Sequence, residues 1–274
     1  MATDQYPNQV LIDRLIETGK VAAIGLGGSS ASGMAATGSD LDLYIITRNP
    51  IDPEVRRAII EPLADDPFRI DIANPYWGDE DGVSIDGAWH DLAYFDAQWL
   101  ATEVDEVLTD HRARQGYTTS FIFTMANMVP LHDPEGLLAS WKRRTGWYPD
   151  DLAEAIIAYN YPVCAVIHAS YRNQIIRAVQ LNDPVAVNHR VAAFLASVFD
   201  IAFAHIRAWH PGEKRQLQYL QDRQHDLPPA FEEHIRAVLN AAAPVRGEEL
   251  VLAVDKLVED ITIIAEQGIQ ERPD

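Results

Sequence analysis

Apolar residues recur along the first third of the chain with the periods of both helix and strand. Val10, Leu11, Leu15 and Ile16 fall at helical spacing over residues 8–19, and Gly19 supplies a stop. "VAAIGL" (21–26) and "LDLYII" (41–46) are short apolar runs that predict strands. "DPEVRRAIIEPLADD" offers Asp52 as an N-cap and Pro53 at the first helical position, so a helix is expected there. "FRIDIANPYW" (68–77) predicts a third strand, "GDEDG" a turn and "AWHDLAYF" (88–95) a fourth strand. "DAQWLATEVDEVLTDH" then predicts a helix.

From about Tyr117 the strand signal fades. "EGLLASWKRR", "DLAEAIIAYNYPVCAVIHASYRNQIIRAVQ", "PVAVNHRVAAFLASVFDIAFAHIRAW", "PAFEEHIRAVLNAA" and "GEELVLAVDKLVEDITIIAEQ" all carry helical apolar spacing. Pro149, Pro184, Pro211-Gly212, Pro228-Pro229 and Pro244 punctuate them. The expected architecture is α+β at the N-terminus followed by an all-helical domain. The boundary falls between residues 112 and 150 and is drawn at 115/116, giving domains 1–115 and 116–274.

Length and composition narrow the function. The 274 residues are 47% hydrophobic and 23% charged, as in an ordinary globular protein with a substantial core. The net charge of −19 opposes polynucleotide binding, which draws most of its non-specific affinity from phosphate contacts. The one short basic cluster, Lys142, Arg143 and Arg144, reads as the solvated C-terminal end of a helix. No apolar run is expected to reach the ~18 residues of a membrane helix. The polar, acidic N-terminus does not resemble a secretory signal, and the single cysteine, Cys164, excludes an intramolecular disulfide. These features favour the cytoplasm, with neither nucleic acid nor membrane as partner.

The stretch "GLGGSSASGMAATGSDLDLYII" (25–46) carries the candidate chemistry. A P-loop needs a Lys-Ser/Thr pair at its end, a dinucleotide fingerprint needs a third glycine where Ser30 stands, and a nucleophile elbow needs glycines flanking its serine. None is met. What remains is Gly28-Ser29, ten residues, then Asp40-Leu41-Asp42-Leu43. On a strand Asp40 and Asp42 point to one face about 6.6 Å apart, where their repulsion calls for a cation. Hard oxygen ligands suit Mg²⁺, which completes its shell with waters and substrate phosphates. Gly and Ser backbone amides can approach phosphate oxygens closely.

This stretch resembles the signature of the nucleotidyltransferase superfamily that includes DNA polymerase β and the aminoglycoside nucleotidyltransferases. That pattern is an apolar residue, Gly-Gly/Ser, about ten residues, then Asp-apolar-Asp/Glu-apolar. "GYTTSFIFT", "NHRVAAFLASVFDIAFA" and "HPGEKR" further resemble bacterial nucleotidyltransferase-domain proteins of unassigned substrate. The resemblance implies a small mixed β-sheet domain with flanking helices, backed by a helical bundle. It implies transfer of a nucleoside monophosphate from an NTP, with ATP expected, to an acceptor hydroxyl, releasing pyrophosphate. Two Mg²⁺ ions would be held by Asp40, Asp42 and a third carboxylate, for which Asp91 is preferred over Asp71. Gly27, Gly28, Ser29 and Ser39 would hold the triphosphate.

In the helical part, Lys214 of "WHPGEKRQL" stands near a helix start, where a cation calls for an anionic partner, so a triphosphate contact is expected of it. Tyr171 and Asn188 are weaker candidates for a pocket lining. Most of Tyr159, Asn160, His168, Tyr171, Arg172, Asn188, His189 and Arg190 are expected to form interhelical hydrogen bonds or domain contacts. No histidine spacing suggests a metal site. The reading is thus an enzyme acting on a nucleotide and a small-molecule acceptor, compatible with a homodimer. Its alternatives are an aminoglycoside- or lincosamide-type adenylyltransferase, a protein-modifying or toxin–antitoxin nucleotidyltransferase, and a non-catalytic nucleotide-binding module.

Overall fold

The computed structural model describes residues 8–28, 40–74, 76 and 78–270. By internal contacts the chain forms two interleaved compact units, one of residues 1–105 and 124–146 and the other of 106–123 and 147–274.

The first unit is built on a five-stranded mixed sheet in the order β3-β4-β2-β1-β5. Its strands are β1 (Val21–Leu26), β2 (Leu41–Thr47), β3 (Glu80–Ile85), β4 (Ala88–Asp96) and β5 (Val129–His132). β2 and β4 are parallel, and the other neighbours are antiparallel. Two helices cover one face, α1 (Gln9–Glu17) and α2 (Pro53–Ile60). Asn8 caps α1 by accepting from Leu11 N–H, and Asp52 caps α2 by accepting from Glu54 N–H. Leu11, Ile12 and Leu15 meet Ile24, Leu43, Ile45, Val83 and Leu92 in a core closed to solvent. The β2 side chains between these, Asp42 and Tyr44, therefore face the other side of the sheet.

Two sequence expectations fail here. Among the described residues of 68–77 there is no strand. Phe68 is 96% exposed, Ala73 turns the chain at φ 55°, and only Asp71 bridges to Gly82. The strand at that place in the order is β3, which includes part of the expected turn. It is held by its antiparallel ladder with β4, and its buried Asp81 ties down the preceding loop by accepting Ala73 N–H at 2.8 Å. β5 was also unforeseen: it has four residues, and Pro130 suits it only to the sheet edge it occupies.

After β4 come α3 (Ala97–Leu108), α4 (Ser120–Asn127) and α5 (Leu137–Arg144). The basic cluster ends α5, as its composition implied. Lys142 donates to Met128 O, and Arg144 pairs with Asp105 at 2.8 Å.

The second unit is a helical bundle around α8 (Pro184–His205), which packs against α6 (Asp150–Tyr161), α7 (Tyr171–Gln180), α10 (Phe231–Ala242) and α11 (Gly247–Gln270). A short α9 (Gln216–Leu220) precedes α10. The long apolar stretch after Pro149 is broken by a π-turn at Pro162–Val166 before α7 begins. Asp150–Gln180 and Pro184–His205 each reach a mean hydropathy of 1.3 over 18 residues, so the expectation about apolar run length was too strict. The Pro184–His205 window is 56% buried within the protein, which accounts for its composition as bundle core.

The bundle holds a buried polar network. Asp200 accepts from Thr118 Oγ1 at 2.7 Å, Thr118 N–H at 3.1 Å and Asn160 Nδ2 at 3.3 Å. Asn160 in turn accepts Gly116 N–H and donates to Arg114 O. Thr119 Oγ1 accepts His210 N–H, and His210 Nδ1 accepts Gly212 N–H. Thus "GYTTSF" and "HPG" are tied into one loop-anchoring cluster. Arg172 pairs with Asp255 at 2.6 Å, so several of the polar residues within apolar helices are satisfied as expected.

Candidate active site

The site is built where β1 ends and β2 begins. These strands are antiparallel, so the glycines after β1 lie beside the aspartate near the start of β2. Gly27 N–H donates to Asp42 O at 2.8 Å. Gly28 has φ 61°, and a Cβ built on it would lie 1.6 Å from Asp42 Oδ2. The Asp42 carboxylate therefore rests against the Gly28 backbone, an approach open only to glycine.

The neighbouring strand completes the arrangement. In the parallel β2–β4 pair Asp42 is the register partner of Asp91, and Leu41 and Leu43 are those of His90 and Leu92. Both aspartates are partly buried and face away from the core. The same row continues across β4 to Gly82 and, through one bridge, to Asp71. Asp71 is exposed and accepts Asn74 Nδ2 at 2.8 Å. Of the two candidates for the third carboxylate, Asp91 stands next to Asp42, and Asp71 is two strands further away.

The field at this face is negative. Glu80 on β3 pairs with Ala93 and so faces the same side as Asp91. Burial raises its pKa first, and Asp91, Asp42, Asp71 and Asp81 push it further in the same direction. Tyr44, next on the Asp42 face, is pushed up to about 12 by burial and then by Asp42, against a hydrogen bond with Thr124. Its ring stacks on Phe95 at 5.8 Å, and Phe95 stacks on Trp99 at 5.9 Å. Trp89 Nε1–H donates to Asp91 Oδ1 at 2.6 Å. Sequence reasoning missed Glu80, Trp89 and Tyr44: alternation puts Tyr44 on the Asp42 face of β2 and Trp89 on the Asp91 face of β4, and the β3–β4 register adds Glu80.

A divalent ion can be tested against this donor set. Among the described residues no three carboxylate, histidine or cysteine side chains converge as a ready-made cage. Asp40 is exposed and precedes the first residue of β2, so it is not in the β2–β4 ladder. Asp42 and Asp91 fit the group as a pair. They are hard oxygen donors on one rung, and Gly28 gives the Asp42 carboxylate the room to stand there.

The other predicted residues separate from this rung. Ser29 and Ser39 lie outside the described residues. Lys214 is exposed in the second unit, ahead of α9. Tyr171 is buried there with its hydroxyl accepting from Gln115 Nε2, and Asn188 is exposed and donates back to Pro184 O. The bundle has its own cavity of about 350 Å³, lined by residues including Leu217, Leu220, Leu227 and Phe231.

Two family models match separate parts of the chain. Residues 9–76 match the nucleotidyltransferase domain family, a span that contains Gly27, Gly28, Asp40 and Asp42. Residues 116–215 match a domain of unknown function, DUF4037, which covers the Thr118–Asp200 and Thr119–His210 network. Among solved structures, the chain is similar to a nucleotidyltransferase-like protein from Exiguobacterium sibiricum 255-15. The identity is 10% and the TM-score 0.49, over 97% of this chain and 80% of that one. Among curated proteins none matches this chain.

Proposed function

We propose, from a chain whose residues 9–76 carry a nucleotidyltransferase domain, that it transfers a nucleoside monophosphate from an NTP to a hydroxyl of a small molecule in the cytoplasm. The observation that carries the reading is the shared rung of Asp42 and Asp91 beside the Gly27–Gly28 backbone.

In the reaction, the acceptor oxygen forms a bond to the α-phosphorus, and the bond from that phosphorus to the bridging α,β-oxygen breaks. Pyrophosphate leaves with the electron pair. Asp91 takes the hydroxyl proton and passes it to water. Asp42 and Asp91, with Asp40 as a further candidate ligand, would hold Mg²⁺, which when bound supplies positive charge to the triphosphate and the leaving group. The Gly27–Gly28 backbone lets the phosphates come close, and Ser29 and Ser39 are further candidates to hold them. Positioning and electrostatics dominate such chemistry, so a rigid sheet end is a suitable support. The net charge of −19 supports a small-molecule acceptor over a polynucleotide.

The test is incubation with Mg²⁺ and each NTP across a panel of hydroxylated acceptors, following pyrophosphate release. Turnover that disappears in Asp42→Asn supports the reading. NTP binding unaffected by Asp42→Asn, with no turnover on any acceptor, would instead identify a nucleotide-binding module.

A further inference from the structure

The acidic face needs a device that orients Asp91 without cancelling its charge. Asp91 stands on one rung with Asp42, and Glu80 and Asp71 add negative charge to the same side of the sheet. Left to itself, a carboxylate in that field rotates away from its neighbour. A lysine or arginine could hold it, but its positive charge would compete with any cation the aspartates bind. A neutral donor holds the oxygen and leaves the charge in place. The indole N–H is such a group, since it donates only and does not titrate.

Trp89 supplies it. Trp89 and Asp91 are two residues apart on β4, so both face the acidic side, and Trp89 Nε1–H reaches Asp91 Oδ1 at 2.6 Å. The ring is placed by a second feature. Gly82 is the register partner of Asp91 on β3, and a Cβ built there would lie 2.5 Å from Trp89 Cζ2. The indole thus lies across a position that only glycine leaves open. Trp89 keeps 38% of its surface exposed, so burial of the ring alone does not account for its place.

We propose that Trp89 is a positioning residue for Asp91, with Gly82 as the seat of its ring. The indole fixes Oδ1 and leaves the other carboxylate oxygen to a divalent cation. This rests on the reading of Asp91 as a metal-binding carboxylate. Partners that orient a metal ligand commonly contribute 10- to 100-fold in metal affinity or activity.

The test uses the full chain and Mn²⁺ alone, with free Mn²⁺ read by electron paramagnetic resonance and folding checked by thermal melting. Trp89→Phe keeps a ring over Gly82 and removes the N–H, and it is expected to weaken Mn²⁺ binding about tenfold. Gly82→Ala, which must push the ring aside, is expected to act in the same direction. In turnover assays both variants are expected to lower kcat and leave the KM for NTP unchanged. In the wild-type protein one of the six tryptophan indole N–H resonances is expected to shift on adding Mg²⁺, and not to shift in Asp91→Asn. This readout remains if a substitution prevents folding. Wild-type Mn²⁺ binding by both Trp89→Phe and Gly82→Ala, with binding lost in Asp91→Asn, would overturn the positioning role alone. Wild-type binding by Asp91→Asn would overturn the reading of Asp91 beneath it.

Discussion

Asp42 and Asp91 are register partners in a parallel strand pair, so two carboxylates share one rung and one face of the sheet. Adjacent strands stand about 4.8 Å apart, close enough for the two charges to repel by roughly 1–3 kcal/mol at an effective dielectric of 20 or more. The fold accepts that repulsion next to Gly28, whose missing Cβ leaves the room the Asp42 carboxylate fills. In the proposed function this pair is the one that receives a cation.

Relieving the repulsion therefore stabilises the metal-free protein. Asp42→Asn and Asp91→Asn are each expected to melt a few degrees above wild type in chelator. Adding Mg²⁺ is expected to raise the wild-type melting temperature more than that of either variant, because binding to the native state alone is what stabilises it. Differential scanning calorimetry with and without Mg²⁺ checks both signs. Variants that melt below wild type in chelator would show that the two carboxylates are satisfied in some other way.

Gly28 and Gly19 separate backbone strain from crowding at the site. Both have positive φ, 61° and 69°, but only at Gly28 would a Cβ meet a functional group. Each change to alanine is expected to cost about 1 kcal/mol in urea denaturation for the left-handed backbone. Only Gly28→Ala is expected to abolish turnover as well, by displacing the Asp42 carboxylate. Equal effects of the two variants on activity would remove Gly28 from the site.

Much of the first unit was legible because local signals and tertiary packing agree there. Asp52-Pro53, the apolar face of α1 and the alternation of β2 each name their own structure. What failed depended on long-range partners. "FRIDIANPYW" has strand composition but lacks a second rung, and β3 has turn composition but gains β4. The candidate site divides in the same way. Asp42 and the glycines sit in one contiguous motif, whereas the standing of Asp91 over Asp71, and the presence of Glu80 on its face, follow from pairing between separate strands.

Two buried groups in the bundle give opposite pH dependences. Burial raises the Asp200 carboxyl from 3.8 to about 7, so between those values the native state keeps a proton that the unfolded chain has lost. Stability from this group falls as pH rises, by up to about 1.4 kcal/mol per unit. Burial lowers His210 from 6.5 to about 4, so the unfolded chain holds the extra proton in that window and stability rises with pH. The two largely offset between pH 4 and 6.5. Asp200→Asn is expected to leave a stability that climbs with pH over this range, and His210→Asn one that declines. Urea melts from pH 4 to 7.5 check the pair, and parallel profiles for the two variants would contradict the assignment.

Beneath the acidic face, Arg56 is 2% exposed on α2 and contacts Asp79 at 2.7 Å and the fully buried Asp81 at 3.6 Å. Its guanidinium also lies 4.3 Å from the centre of the Tyr94 ring. Burial holds the Asp81 pKa above the usual carboxylate range even with Arg56 opposing it, so the pair is held at a desolvation cost. Removing one partner leaves the other charge buried and unpaired. Arg56→Met is accordingly expected to destabilise by about 3–5 kcal/mol. Adding Asp81→Asn to it removes the stranded charge while retaining an acceptor for Ala73 N–H, and is expected to recover at least half of that loss. Chemical denaturation of the single and double variants measures the coupling. A double variant no more stable than Arg56→Met would mean that Arg56 acts through packing on Tyr94 rather than through the charge of Asp81.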